Sequence, residues 1–143
     1  MRGYPRREVS MKHPVTNKHF DEFKREVNRW ISLFGLSDWR IYFQQRNLPE
    51  MMAMCKHDSA HRVATMVLGR FWQDVKPSPE EIRRTALHEV AHLLCADFTT
   101  IALAKYKSQE EAMTAEESLV ARLANCLIQI KGGGSSYGHQ PRF

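Results

Sequence analysis

The stretch SPEEIRRTALHEVAHLLCAD, residues 78–97, decides the fold, because its start signals and its apolar spacing both predict a helix. Ser78 is a favourable N-cap, Pro79 suits the first helical position, and Glu81 completes a capping box. We therefore expect a helix that begins at Pro79 and ends at about residue 96 or 97. Its apolar residues are suited to packing against a sheet: Ile82, Ala86, Leu87, Leu93 and Leu94.

The middle of this helix carries the pattern His88-Glu89-Val90-Ala91-His92. Residues four apart lie on one helical face, so both imidazoles can bind one ion, and zinc accepts imidazole nitrogens at about 2.0–2.1 Å. Glu89 is placed to take a proton from a zinc-bound water. The sequence thus predicts one Zn2+ held by His88 and His92, with Glu89 as the catalytic base. The alternative is a pair of polar-face histidines on an ordinary core helix, but the independent start signals and apolar flanks favour the metal site.

A catalytic zinc needs a third protein ligand, and the next helix offers one. A capping box that starts at Ser108 predicts a helix to about Ile130. At about 100° per residue, one face of this helix is apolar and consists of Met113, Leu119, Val120, Leu123, Leu127 and Ile130. Glu116 lies near the middle of this face and Glu117 near its edge, and a carboxylate is costly to bury unless it is paired or bound to metal. We therefore predict Glu116 as the third ligand, with Glu117 as the alternative.

The remaining segments predict an α+β fold with one helix before the sheet. Apolar residues recur at helical spacing over residues 18–34, and Gly35 can end that helix. Three strand-like segments follow, at residues 39–46, 51–56 and 61–69. They predict a small, mainly antiparallel three-stranded sheet, followed by the motif helix and the glutamate-bearing helix.

Composition and length are those of one domain with a hydrophobic core. The chain has 143 residues, of which 43% are hydrophobic and 26% charged. No apolar run approaches the roughly 18–20 residues that span a bilayer, and the N-terminus lacks the apolar region of a secretory signal. The three cysteines are widely spaced and odd in number, which does not suggest a disulfide framework. We expect a cytoplasmic protein without membrane contact.

The chain divides into a flexible basic arm (residues 1–16), a single zinc-binding domain (17–131) and a Gly/Ser-rich disordered tail (132–143). Part of the net charge of +5 lies in the arm. The arm is compatible with binding to nucleic acid, but a solvated tail accounts for it better.

The pattern His88-Glu89-x-x-His92, with Glu116 24 residues further on, resembles that of the gluzincins, a clan of zinc metallopeptidases. Within that clan, the chain is most similar to the minigluzincins, very small members often encoded in phages and prophages, over about residues 20–130. The resemblance implies a minimal zincin-like domain in which His88, His92 and Glu116 bind zinc and Glu89 is the general base.

The resemblance also implies that the last strand, at about residues 61–68, borders the cleft. An edge strand there would hold an extended peptide by backbone pairing. Larger gluzincins add a Tyr or His that stabilises the oxyanion. Tyr106, Tyr137 and His139 are the candidates for that role here.

The sequence therefore predicts a zinc metallopeptidase that hydrolyses a peptide or protein substrate. One alternative is a DNA-associated protease of the SprT-like kind, which the basic arm would suit but which uses a third histidine. The other is a non-catalytic, zinc-stabilised binding or regulatory module whose closed site takes Cys95 as its fourth ligand. The sequence leaves the oligomeric state open.

Overall fold

The part of the chain that the structure describes forms four helices and two small sheets, as the α+β prediction requires. A computed structural model describes residues 13–104 and 107–132. In chain order its elements are β1 (His13–Pro14), α1 (Asn17–Leu33), β2 (Arg40–Arg46), β3 (Ala53–Asp58), β4 (Val63–Gly69), β5 (Phe71–Trp72), α2 (Pro79–Leu94), α3 (Ala96–Leu103) and α4 (Gln109–Gly132).

The larger sheet has the strand order β2-β4-β3. Strand β4 runs parallel to β2, with Arg40 opposite Val63, and antiparallel to β3, with Ala53 opposite Leu68. Strands β1 and β5 form a separate antiparallel pair. Two of these three pairings are antiparallel, which confirms the mainly antiparallel prediction. Since β4 is paired on both sides, β3 and β2 are the edges of the larger sheet.

A tight turn joins β3 to β4 and depends on local hydrogen bonds. The Asp58 carboxylate accepts from the His61 backbone N–H at 3.2 Å and contacts the His61 ring Nδ1 at 2.8 Å. Arg62, the last residue before β4, adopts a left-handed conformation with φ of 52°. Asp and neighbouring polar residues favour such turns because their side chains bond the nearby backbone.

Helix α1 packs on α2 above the sheet, and local signals set both of its ends. Thr16 is its N-cap, forming a capping box with His19, and Gly35 ends it with φ of +67°. The helix begins at Asn17, one residue earlier than the predicted start at residue 18. The shared core is mainly apolar and includes Phe23, Val27, Met66, Leu68, Ile82 and Val90, all of which are completely buried.

The chain from His13 to Thr16 belongs to the fold, although the sequence assigned it to the flexible arm. His13 and Pro14 pair with Trp72 and Phe71, and Val15 is buried in the core. A strand of two residues carries no periodicity, so the sequence could not reveal it. The rest of the predicted arm and the tail after Gly132 lie outside the described residues.

Helix α2 ends at Leu94, and α3 follows after a bend of 47° at Cys95. The sequence predicted no separate α3. Arg62 fixes its start, donating two hydrogen bonds to the Asp97 carboxylate at 2.7 and 3.0 Å. Within residues 13–104 and 107–132 no single helix is long and apolar enough to cross a membrane, although α2 and α3 taken as one bent pair reach that length and composition.

Helix α4 begins as predicted, because Ser108 and Glu111 form the expected capping box. The Ser108 hydroxyl accepts from the Glu111 N–H at 3.1 Å, and the Ser108 N–H donates to the Glu111 carboxylate at 2.9 Å. The helix packs mainly on α3 and inserts Cys126 into the core. Its predicted apolar face, however, is largely exposed to solvent.

Candidate metal centre

His88 and His92 lie one turn apart on the solvent-facing side of α2, as the spacing predicted. Their Nε2 atoms are 3.2 Å apart, and the ring planes meet at 79° with centroids 4.9 Å apart. Both side chains are exposed. The two nitrogens therefore point to one place at the protein surface, where an ion can be reached from solvent.

The separation of the two nitrogens fits a single zinc ion. Two imidazole nitrogens, each about 2.0–2.1 Å from one tetrahedral zinc, stand about 3.3 Å apart. The observed 3.2 Å matches this value with no change of side-chain conformation. Without metal, the same distance allows one neutral imidazole to donate a hydrogen bond to the other.

Glu89, the predicted base, is buried beside this pair and only 5% exposed. Burial raises the pKa of its carboxyl, because a charged form is poorly solvated there, while the two imidazoles and the backbone N–H of Cys55 oppose that shift. The side chain thus occupies a site that disfavours its charge yet lies next to groups that favour it. Such an environment suits a group that accepts and releases a proton.

Strand β3 borders the candidate site, not β4 as the resemblance implied. Helix α2 packs directly on β3, and β4 has no free edge because it pairs with β2 and β3. Met52 accepts a backbone hydrogen bond from Gly69, so the alternate residues Ala53, Cys55 and His57 direct their backbone groups away from β4. The prediction that the strand at about residues 61–68 borders the cleft was wrong. The order of strands in a sheet depends on the path of the chain between them, and the spacing of apolar residues does not indicate that path.

A cleft of about 600 Å³ opens between β3, the segment before it and the N-terminal half of α2. His88 and Glu89 lie on its wall, together with Thr85, a largely buried residue. Its apolar lining consists of Pro49, Met51, Met52, Ala53 and Val75, and its charged lining of Glu50, Asp74, Glu81 and Arg84. Sequence reasoning missed this lining, because these residues come together only through the fold.

The structure does not bring Glu116 or Glu117 to the histidine pair. Both carboxylates are exposed on α4. Among residues 13–104 and 107–132, no three His, Cys, Asp or Glu side chains are grouped to hold a metal ion. The predicted burial of Glu116 is therefore wrong in this structure, because α4 faces the core with a neighbouring strip that includes Leu119 and Cys126. Its role as a ligand stays a prediction.

The other sequence candidates add no further ligand to the described site. Cys95 caps the end of α2 and belongs to no metal-binding group among the described residues. Tyr106, Tyr137 and His139 lie outside the described residues. The site therefore presents two imidazoles and one buried carboxylate at the mouth of a cleft.

Comparisons of the chain with protein-family models, with curated proteins and with solved structures found no match.

Proposed function

We propose that this protein is a zinc-dependent hydrolase of peptide bonds. The observation that carries the proposal is the 3.2 Å separation of the His88 and His92 Nε2 atoms, directly beside the buried carboxyl of Glu89. Two convergent imidazoles and an adjacent carboxylate are the donor set that zinc hydrolases use. All three side chains come from one rigid helix, so their mutual geometry needs no other element.

In this mechanism, each residue has a separate task. His88 and His92 hold the ion through Nε2, which requires each ring to carry its proton on Nδ1. A zinc ion bound there supplies Lewis acidity that acidifies water and polarises a carbonyl. Glu89 accepts the proton of the attacking water and later delivers it to the leaving amine. Its burial keeps bulk water from competing for that proton.

The free edge of β3 supports an extended peptide as the substrate. Backbone groups of Ala53 and His57 face away from β4, so a peptide can add to this edge as a further strand. The neighbouring cleft is lined by Met51 and Met52, which are 50% and 38% exposed. We infer that the cleft takes an apolar side chain of the substrate next to the bond that is cleaved.

The third ligand is a separate part of the proposal. Two imidazoles leave coordination positions for water and for one more protein group. Glu116 remains the predicted ligand, and its recruitment requires α4 to turn its exposed face toward α2. The assignments of His88, Glu89 and His92 do not depend on that movement.

A cytoplasmic location completes the proposal. Cys55, Cys95 and Cys126, the three cysteines of the chain, are all free thiols. Reduced cysteines of this kind are usual in reducing compartments.

Replacement of the base tests the proposal. Glu89→Gln keeps the shape of the side chain but accepts no proton, so we expect zinc content to persist and hydrolysis to fall by about 100-fold or more. Hydrolysis is measured with a quenched fluorescent peptide library, and zinc by elemental analysis of the same samples. Glu80→Gln, at an exposed position in the first turn of α2 that does not line the cleft, is the matched control and should retain activity.

Equal hydrolysis by the wild type and Glu89→Gln would reject the assigned base. Zinc binding by the wild type with no hydrolysis of any peptide would instead support the non-catalytic zinc module. Binding to DNA that weakens steeply with salt would favour the SprT-like alternative.

A further inference from the structure

Helix α4 carries a stripe of side chains spaced at alternate intervals of three and four residues. This stripe, called the α4 seam below, consists of Met113, Glu116, Val120, Leu123, Leu127 and Ile130. The spacing is that of the a and d positions of a heptad repeat, which form the contact line between paired helices. It is maintained over 18 residues without interruption.

The α4 seam is largely exposed and is only partly used in the fold of its own chain. Its apolar members are exposed to 57% at Met113, 52% at Val120, 37% at Leu123, 63% at Leu127 and 41% at Ile130. Helix α4 instead packs on its own domain through the neighbouring positions Leu119 and Cys126. A continuous apolar stripe of this kind on an otherwise packed helix marks an interaction surface.

We propose that the α4 seam pairs with the α4 seam of a second copy of this chain, in antiparallel orientation, to form a homodimer. A two-fold interface must be complementary to itself. Successive seam residues are three, four, three, four and three positions apart, and this order is the same when it is counted from either end of the helix. An antiparallel partner therefore places Met113 opposite Ile130, Val120 opposite Leu123 and Glu116 opposite Leu127, so that every position of the seam meets another.

Charge selects the antiparallel orientation. A parallel pair in register would place Glu116 against the Glu116 of the second copy, and two facing carboxylates repel each other. The antiparallel pair separates them and leaves one carboxylate near each end of the interface. A single polar residue in such a seam fixes register and orientation at some cost in stability. This role accounts for Glu116 in an apolar stripe without invoking a metal.

The area that two paired α4 seams can bury is small, as in a weak dimer. The seam is about 26 Å long at 1.5 Å per residue, on a helix about 10 Å wide. A strip of these dimensions covers roughly 260 Å² on each copy and about 500 Å² in all, which is below the roughly 1,000 Å² of a stable specific interface and fits a weak, transient pair. We therefore expect a dissociation constant in the micromolar range. The dimer leaves His88, Glu89 and His92 accessible, but it buries Glu116, so a chain paired through the seam cannot also use Glu116 as its third zinc ligand.

The first test is the mass of the chain in solution as a function of concentration. Sedimentation equilibrium should show a mass that rises from 16.7 kDa toward twice that value. Leu127→Glu places a charge in the seam and should weaken dimerisation at least about tenfold, while Asn125→Glu adds the same charge to an exposed position of α4 outside the seam and should not. A mass that stays at 16.7 kDa at every concentration would overturn the proposal, and so would a dimer that Leu127→Glu leaves intact.

Further variants test the register and the role of Glu116. Val120 should lie opposite the Leu123 of the second copy in the antiparallel pair, so a mixture of Val120→Cys and Leu123→Cys chains should form a disulfide between the two variants under mild oxidation, in preference to a disulfide between two chains of the same variant. Glu116→Leu should tighten the dimer, because it removes the only charged side chain of the seam. A Glu116→Leu protein that loses zinc and gains no dimer affinity would overturn the seam and show instead that this stripe turns toward α2. Circular dichroism confirms that each variant is folded.

Discussion

Glu89 differs from the two histidines beside it in one physical respect, which is its access to water. Its carboxyl is buried, whereas both imidazoles are exposed. Burial raises the pKa of the carboxyl and the imidazoles lower it, so its charge depends on what its neighbours carry. A cation held by His88 and His92 would favour the ionised form, which is the form that accepts a proton. Binding of a cation by the two imidazoles would therefore increase the fraction of Glu89 that is ionised and able to accept a proton.

The thiol of Cys55 should react slowly with alkylating agents. Burial, together with the nearby Glu89 carboxylate, raises the pKa of its thiol to about 12. Only the thiolate reacts with alkylating agents, so at pH 8 we expect Cys55 to react at least about 100-fold more slowly than an ordinary cysteine. Mass spectrometry after timed exposure to iodoacetamide measures this rate, with the guanidinium-unfolded chain as the control. Reaction of Cys55 at equal rates in the folded and unfolded chains would contradict the burial described here.

At the scale of elements, the contact between α1 and α2 determines how firmly the motif helix is held. Phe23 and Val27 of α1 and Ile82 and Val90 of α2 are all completely buried in the apolar core that the two helices share. One charged group adds to it at the rim: Glu22 of α1 pairs with Arg25 on its own helix and lies 3.6 Å from Arg83 on α2. The stability of the α1–α2 contact therefore depends slightly on pH.

The pKa of Glu22 determines how this contribution to stability changes with pH. A hydrogen bond from Arg25, together with the charges of Arg25 and Arg83, lowers the pKa of Glu22 below its ordinary value of 4.5. A group whose pKa is lower in the folded state stabilises the fold above its unfolded pKa and loses that effect as the pH falls through the folded value. We expect Glu22→Gln to lower stability by less than about 1 kcal/mol at neutral pH and to flatten the acid side of the stability curve below about pH 4.5.

Thermal unfolding of the wild type and Glu22→Gln between pH 3 and 7 measures this effect. The two curves should converge at the acid end of the range and separate as the pH rises above it. Curves that run parallel throughout would show that the ion pair adds nothing to the α1–α2 contact.

In the molecule as a whole, features that depend on a few adjacent residues could be predicted from the sequence. Features that depend on how distant parts of the chain pack together could not. The His88–His92 pair and the start of α4 at Ser108 follow from helical geometry and capping, both of which are local. Strand β3 lies at an edge because residues 47–52 lead the chain from β2 past the end of β4 to its other side. The spacing of apolar residues does not indicate this path. The face of α4 that packs inward is likewise decided by its contact with α3, so Glu116 was correctly placed in an apolar stripe but wrongly expected to be buried.

Zinc binding by the two imidazoles is the claim on which the proposed function depends, and equilibrium dialysis at micromolar free zinc tests it most directly. We expect one zinc per chain, at least a tenfold loss of affinity in His88→Ala and in His92→Ala, and no loss in His61→Ala, which removes an exposed histidine far along the sheet. No zinc bound by the wild type, or one zinc retained by a chain that lacks both His88 and His92, would contradict the account.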